Sequence, residues 1–549
     1  SMSTPENDAA PDGASARRIK APQIVLAVGI GLALFTVGSG IASSTFEFHS
    51  DSEVSREVFG NIPGFWKLAF YIVVPLVLLY GAILFSQRAT NWNRGGPDDR
   101  RTTAKNVGRR LKSFRAGAYM QTLLRDPAAG VMHSLIYFSF LILLAVTATL
   151  EVDHQLPENL KFLHGGVYQG FSLVGDVAGV TFIAGVLWAI VRRYIQRPYR
   201  IRIKSKPEHA MILGVMLAIG ITGFATEAYR IALEGRPDFE VWSVVGYPLS
   251  GLIENAGALS GWHQFWWVAH VITFVMFLLM LPVTMLRHMF TSPLNMYLSD
   301  RERPKGAMKA MPNLMETELE TFGASTVEEM TWKQLLDTDA CTMCGRCTSV
   351  CPAHATGKSL DPREIVLKTG EVMAASGTPV VSPPLGLDPE ITVQADSLFE
   401  RITPEEVWAC TSCKACDEIC PVDIEILDKI LDMRRYLSLM ESNFPTELGT
   451  AYRGMENSGN PWGMSQSSRG DWASKVEGVN IVDGGDSFDH EYLYWVGCAG
   501  SFDDKNQKVT VAMAKLMQRA GLDFAILGPS ENCTGDPARR SGNEYIFQM

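Results

Sequence analysis

The sequence predicts a membrane-spanning α-helical bundle that carries a cysteine-rich helical domain and, after it, a partial α/β domain. Three observations predict it. Six apolar runs, each long enough to cross a bilayer, fill the first 290 residues. All ten cysteines lie at or beyond residue 341, eight of them in two copies of one spacing. A strand–helix–strand pattern follows them.

The chain has 549 residues, 47% of them apolar, and a net charge of −10, which argues against a nucleic-acid partner. Residues 1–20 are polar and rich in Pro, Ala and Ser, the composition of a disordered tail. The Ser1–Met2 start reads as one residue added ahead of the natural initiator, and no cleavable signal peptide fits. The six runs cover about residues 22–44, 66–86, 128–150, 167–191, 209–231 and 262–286, within a bundle domain over 21–298. A bilayer core of about 30 Å needs roughly 20 apolar residues per helix, and six such runs are hard to bury in anything but lipid.

Lysine and arginine set the expected orientation. Between Arg88 and Arg125 there are ten, against two acids, Asp98 and Asp99. Between Arg192 and Lys206 there are seven and no acid. The alternate loops are acidic, with Glu47, Asp51, Glu53 and Glu57 in one and Glu234, Asp238 and Glu240 in another. Both termini and the cysteine-rich region are therefore expected on the cytoplasmic side of the cell membrane, where disulfides are rare. Residues 107–125 are basic and amphipathic and are expected to lie in the interface.

Most of the ten histidines lie in or beside the spans. Such groups in lipid need a partner or a ligand, and a neutral imidazole is a common axial ligand of haem iron. His270 and His288 are 18 residues apart. On one continuous helix that is about 27 Å and five turns, so both project from one face and place one haem near each membrane surface. His133, at the inner end of the third span, is the expected partner of His288. His164, with His154 as the alternative, is the candidate partner of His270. Ordinary interfacial or hydrogen-bonded histidines are the competing reading. Tyr168, Asp176, Glu227 and Arg230 are polar groups in or near spans, candidates for a quinone site or proton path or for plain helix packing.

A linker over 299–335 precedes the helical cysteine domain at 336–441. Its runs Cys341-Thr-Met-Cys344-Gly-Arg-Cys347-Thr-Ser-Val-Cys351-Pro352 and Cys410-Thr-Ser-Cys413-Lys-Ala-Cys416-Asp-Glu-Ile-Cys420-Pro421 both have the C-x2-C-x2-C-x3-C-P spacing of two-cluster ferredoxins. Three close thiolates wrap one 4Fe–4S cubane and the fourth, before proline, reaches the other cluster. That rule assigns Cys341, Cys344, Cys347 and Cys420 to one cluster and Cys410, Cys413, Cys416 and Cys351 to the other. Zinc needs only four ligands, and two identical runs exceed that need. The 58 residues between the runs are an insertion, Pro-rich over 378–389. A helix is expected over 424–441, a linker over 442–488, then strands at 492–496 and 524–527 around a helix at 505–520 in the partial domain 489–549. Cys498 and Cys533 follow the two strands.

Gly497-Cys498-Ala-Gly and Asn532-Cys533-Thr-Gly-Asp-Pro, with the two cysteine runs, resemble the iron–sulfur subunits of heterodisulfide reductases and glycolate oxidases, whose cysteine-rich CCG domains bind a further cluster or a catalytic centre. The spans from His133 to His288 resemble the haem b subunit of respiratory nitrate reductases. The fusion of both is similar to the actinobacterial membrane oxidoreductases for electron-transfer flavoprotein. That resemblance implies electrons passing from the flavoprotein of fatty-acid β-oxidation, through two 4Fe–4S clusters and one or two haem b groups, to menaquinone. It leaves no single catalytic residue named. Thr534 stands where the family has a second cysteine, and the chain stops at Met549 after one copy of a motif that the family carries twice. A third cluster from Cys498 and Cys533 is therefore expected only if further cysteines come from elsewhere. A thiol or heterodisulfide reductase, or a lactate or glycolate oxidase, is one alternative; a zinc-stabilised membrane scaffold or transporter is the other.

Overall fold

The computed structural model describes residues 20–45, 52–98, 104–255, 257–299, 306–376, 394–485 and 487–549. The expected tail up to residue 19, the loop acids Glu47, Asp51 and Asp99, and the Pro-rich stretch 378–389 lie outside the described residues.

Among the described residues six helices are long and apolar enough to cross a membrane. In chain order the first part contains α1 (Ala21–Thr45), α2 (Gly64–Trp92), α3 (Ala104–Ala118), α4 (Pro127–Gln155), α5 (Gly165–Ile190), α6 (Tyr199–Arg202), α7 (Pro207–Leu233), α8 (Gly246–Ile253), α9 (Leu259–Val283) and α10 (His288–Leu298). The spans are α1, α2, α4, α5, α7 and α9; α3 is the short basic helix expected beside the membrane. Leu32, Phe35, Leu68 and Leu76 are exposed, as helices clothed by lipid require. Small residues set the packing: a Cβ on Gly29 would overlap the Cβ of Ala82, so α1 and α2 meet backbone to backbone. Asp126 caps α4 by accepting from the Ala129 amide at 3.3 Å, with Pro127 in the first turn.

The sixth span departs from expectation. It ends at Val283, Thr284 is extended (φ −116°, ψ −178°), one 3-10 turn covers Met285–Arg287, and α10 begins at His288. His270 and His288 therefore do not share a helix, and the five-turn alignment does not hold. Pro282 stands in the last turn of α9, where its ring and missing N–H weaken the helix ladder. The Thr284 hydroxyl then caps the Leu286 amide at 3.2 Å.

The cysteine-rich domain contains α11 (Trp332–Ala340), α12 (Arg346–Val350), α13 (Pro352–Ala355), α14 (Pro362–Ala375), α15 (Pro404–Trp408), α16 (Ala415–Ile419) and α17 (Ile426–Leu439). Leu335, Leu336, Ile365, Val407, Ile430 and Met433 form its core, joined by Ala89 and Trp92 from the membrane helix α2. Residues 324–330, inside the expected linker, are part of that core through Ala324, Val327 and Met330.

The last part contains α18 (Thr446–Ser458), α19 (Gly497–Phe502) and α20 (Asp504–Arg519) with strands β1 (Asn480–Ile481), β2 (Tyr492–Leu493) and β3 (Phe524–Ile526), all parallel in the order β1-β3-β2. The predicted strand–helix–strand is β2–α20–β3. The stretch 442–488, expected as a linker, instead supplies α18 and β1, and its Trp472 is 1% exposed beneath the sheet. Buried aromatics there outweigh the Gly/Ser composition that suggested a linker.

Bundle and cysteine-rich domain meet at Asp339, 3% exposed. Its carboxylate accepts from Arg88 Nη1 at 2.8 Å, Trp92 Nε1 at 2.8 Å and Arg287 Nε at 3.1 Å. Burial alone would raise Asp339; Arg88 and Arg287 prevail and hold it below the usual carboxylate range. Thr291 and Ser292 of α10 donate to the carbonyls of Asp339 and Ala340 at 2.9 and 3.0 Å. Asp339→Ala leaves two buried guanidiniums without their carboxylate and is expected to cost about 3–5 kcal/mol. Denaturant unfolding of the detergent-solubilised protein measures it; a cost below about 1 kcal/mol would show that the junction rests on other contacts.

Candidate iron–sulfur and haem centres

The first cysteine run leaves α11 and turns through Met343 (φ 54°) and Gly345 (φ 70°) before α12. The second repeats the turn at Ser412 (φ 55°) and Lys414 (φ 61°) before α16. Left-handed backbone at Met343, Ser412 and Lys414 costs about 1–3 kcal/mol each and curls the loops around their thiols. These three positions carry no glycine, the residue by which such strain is usually signalled.

Cys341, Cys344, Cys347 and Cys420 line one recess of about 360 Å³, together with Arg346 and Arg363. Cys420, from the second run, thus crosses to the first. In return Cys351 lies among the second run, within electrostatic reach of Cys410 beside Cys413. Backbone amides of Ile424 and Ser412 point at the sulfurs of Cys420 and Cys410, each at 3.4 Å. Burial pushes the Cys341 thiol up to about 12, and raises Cys347 and Cys420 as well. Thiols so buried stay ionised only against a bound cation. Among the described residues no three His, Cys, Asp or Glu side chains converge on one point that would hold a single metal ion. Eight thiols in two crossed sets exceed the four ligands that a zinc ion takes and match the number that two 4Fe–4S clusters need.

The recess sits against the bundle. Arg346, 3% exposed, donates to the carbonyls of Thr122 and Leu123 at 2.8 and 2.7 Å, immediately ahead of the helix bearing His133. Arg287 lies within electrostatic reach of Cys341 and directly precedes His288. The sequence reading missed Asp339, Arg287 and Arg346; only their nearness to Cys341 and His288 in the chain hinted at them.

His133 and His288 face each other with ring centroids 6.5 Å apart and planes at 63°. Two imidazoles on opposite sides of one metal, with bonds of about 2 Å, place their ring centres roughly 6 Å apart. His288 Nδ1 is 2.7 Å from the Met285 carbonyl, which makes Nδ1 the protonated nitrogen and leaves Nε2 as a lone pair. His133 Nδ1 is buried without a hydrogen-bond partner. The pair would hold a haem iron, to which the two imidazoles would supply nitrogen donors. His270 is placed differently: its Nδ1 is 3.0 Å from Thr222 Oγ1, and among the described residues no histidine ring stacks on it. His154 Nε2 meets Ser43 Oγ at 2.9 Å, and His164 precedes α5 and bridges to Ser55.

Tyr168, Asp176, Glu227 and Arg230 come together at the opposite end of the bundle. Tyr168 OH and Arg230 Nη1 both donate to Glu240 Oε1 at 2.7 Å, and Glu240 is fully buried. Asp176 accepts from the amides of Val245 and Gly246 at 2.6 and 3.2 Å and is hydrogen-bonded to Glu227. Cys498 and Cys533 also meet: their sulfurs are hydrogen-bonded, Arg469 Nη2 reaches Cys498 Sγ at 2.9 Å, and the Cys498 contact holds Cys533 down to about 6. Glu531 anchors Arg469 at 3.4 Å and accepts from the amides of Val496 and Gly497 at 2.9 and 2.8 Å. Arg469 lay hidden in the supposed linker.

Three family profiles match successive parts of the chain: nitrate reductase gamma subunit at 140–303, 4Fe–4S dicluster domain at 340–425 and cysteine-rich domain at 492–549. The chain is 32% identical to the EtfAB:quinone oxidoreductase of Syntrophomonas wolfei over 90% of its own length and 71% of that protein. It is 31% identical to the probable iron–sulfur-binding oxidoreductase FadF of Bacillus subtilis, over 78% of this chain and 64% of that one. One of the subunits of the dihydromethanophenazine:CoB–CoM heterodisulfide reductase of Methanosarcina acetivorans is 25% identical over 40% of the chain and 51% of its own length. No solved structure matches. A helical membrane part with a facing imidazole pair, crossed thiol sets and these relatives lead to one assignment: the chain belongs to the family of multi-pass membrane iron–sulfur oxidoreductases that includes EtfAB:quinone oxidoreductase.

Proposed function

We propose that this chain carries electrons from reduced electron-transfer flavoprotein through two 4Fe–4S clusters and haem b to menaquinone. The observation that carries the reading is the abutment of a thiol-lined recess, at Cys341, on the segment that holds the His133–His288 pair. Cys341, Cys344, Cys347 and Cys420 hold one cluster in this reading, and Cys410, Cys413, Cys416 and Cys351 the other. When bound, these groups supply one-electron carriers between a two-electron flavin and a two-electron quinone. Cys413, of the second set, is exposed whereas none of Cys341, Cys344, Cys347 and Cys420 is, which supports the second set as the entry face for a docked flavoprotein. Arg287 and Arg346 offset thiolate charge on the way to the imidazoles, and Asp339 fixes Arg287. The cationic loops around Arg94, Arg200 and Lys204 contact the cysteine-rich domain, which supports its placement on the cytoplasmic side.

The imidazole geometry supports one haem, between His133 and His288. A second at His270, with His164 or His154, lacks a facing ring. Tyr168, Asp176, Glu227 and Arg230 are proposed as a proton path serving the quinone, since their carboxyls and phenol form one connected group. Cys498 and Cys533 supply two thiols of a site that needs further ligands. Their adjacency to Arg469 favours a second reading, substrate chemistry on a dithiol or a 2-hydroxy acid at that pair.

Three measurements test this. Purified protein is expected to contain acid-labile sulfide, and Cys420→Ser to lose about half of its non-haem iron, since one thiolate serves one cluster; unchanged iron rejects the assignment. His288→Ala is expected to abolish the b-type Soret band while broad iron–sulfur absorption persists, and retention of the full band removes His288 as a ligand. Reduced electron-transfer flavoprotein is expected to bleach the cluster absorption within a turnover. Bleaching by lactate or a dithiol, with none from the flavoprotein, selects the second reading.

A further inference from the structure

The segment from Arg192 to Lys206 holds seven cations and no acid, and the structure divides them between two tasks. Arg192 and Arg200 pair with Asp126, Lys204 pairs with Glu364 at 2.9 Å, and Arg202 lies over the Tyr199 ring at 5.6 Å. The other three, Arg193, Arg197 and Lys206, line a recess of about 660 Å³. Its walls are the π-turn Val191–Gln196 that ends the fourth span and the first turn of α7. The wide turn and Arg197 in the left-handed region (φ 46°) open the space, and Ser205 Oγ steadies Arg193 at 3.2 Å.

The one acid in the first turn of α7, Glu208, is turned away from the recess and accepts from the Met285 amide at 2.5 Å. The positive end of a 27-residue helix therefore adds to the three cations. The recess lies where an apolar span ends: Tyr194 is 42% and Ile195 73% exposed beside it, an aromatic and an aliphatic side chain at headgroup depth. An occupant must thus be anionic at one end and tolerate an apolar flank.

We propose that this recess binds the phosphate headgroup of an anionic phospholipid from the leaflet on the iron–sulfur side. Basic pockets between transmembrane helices at that depth are suited to such headgroups. The same segment holds the cysteine-rich domain from its other face, through Arg363 Nη1 to the Arg200 carbonyl at 2.9 Å and through Lys204. A seated lipid therefore braces, from the membrane side, the loop on which that domain rests.

Native mass spectrometry of the full chain in detergent, with phosphatidylglycerol or phosphatidylcholine added, tests the proposal. The wild type is expected to retain phosphatidylglycerol at far lower lipid concentration than phosphatidylcholine. Arg193→Gln with Arg197→Gln is expected to weaken phosphatidylglycerol roughly thirtyfold, and Arg202→Gln to leave it unchanged. Equal retention of the two lipids, or no loss in the double variant, overturns the proposal. Displacement of the lipid by millimolar inorganic phosphate assigns the recess to a soluble anion and overturns the lipid. Should the double variant misfold, Lys206→Gln alone is expected to weaken phosphatidylglycerol about fivefold, and an unchanged affinity overturns the proposal equally.

Discussion

The arrangement depends on one buried carboxylate. Asp339 is enclosed by protein, accepts from two guanidiniums and an indole, and lies near the end of the helix that leads into Cys341. Two of its three partners, Arg88 and Trp92, belong to a membrane span, and the third, Arg287, precedes His288. A charge in that environment is tolerated only with its partners in place, so the junction is held to one geometry. Some other contacts across the same boundary differ in kind. Arg125 and Glu418, 3.4 Å apart with both side chains half exposed, form a surface pair of the sort that contributes little. Position at the junction comes from buried contacts, Asp339 together with Arg346 on the Thr122 and Leu123 carbonyls; the surface pairs add complementarity.

The interruption of the sixth span follows the same economy. A broken helix leaves orphan carbonyls and amides, and at this break several are answered by side chains. Arg88 Nη2 takes the Pro282 carbonyl at 3.3 Å, Arg287 Nη1 takes that of Thr284 at 3.1 Å, and Glu208 accepts from the Met285 amide. The Met285 carbonyl accepts from the His288 backbone amide and also meets His288 Nδ1. The break thereby fixes the tautomer and direction of the imidazole that faces His133.

Legibility in the sequence follows the length scale of each signal. Spans of more than twenty apolar residues, and cysteine runs fixed by covalent spacing, are readable because local pattern determines them. The crossing of Cys420 and Cys351 is readable too, from the place of the fourth cysteine before proline. His133 and His288 meet in space as their positions predict, although the single continuous helix expected to carry His270 and His288 does not form; Pro282 holds that information and is outweighed by apolar run length. Arg469 and Trp472 are hidden in a stretch whose Gly/Ser content suggests a linker, because tertiary burial leaves no periodic trace in so short a segment. Glu240 reads as a loop acid that helps to set topology, yet it is fully buried between Tyr168, Arg230 and Ser243. Charge counting cannot separate a solvated loop acid from one folded back into the bundle.

That buried group completes a polarity along the molecule. At the end that carries the cysteine-rich domain the donors are sulfur and imidazole, groups suited to iron. At the other end they are carboxyl, phenol and guanidinium, groups suited to protons. The Asp176–Glu227 contact is a hydrogen bond between two carboxyls, which requires a proton on one of them. Asp176 also accepts from the amides of Val245 and Gly246. A Cβ on Gly246 would stand 2.6 Å from the Glu227 carboxyl, so the loop backbone closes directly over it. One turn earlier on the same helix, a Cβ on Gly223 would lie 3.4 Å from the His270 ring. The paired carboxyls therefore sit one helical turn from an imidazole in the half of the bundle remote from the thiols. In the proposed relay, where quinone takes up protons as well as electrons, that separation assigns the two kinds of particle to opposite ends of one set of helices.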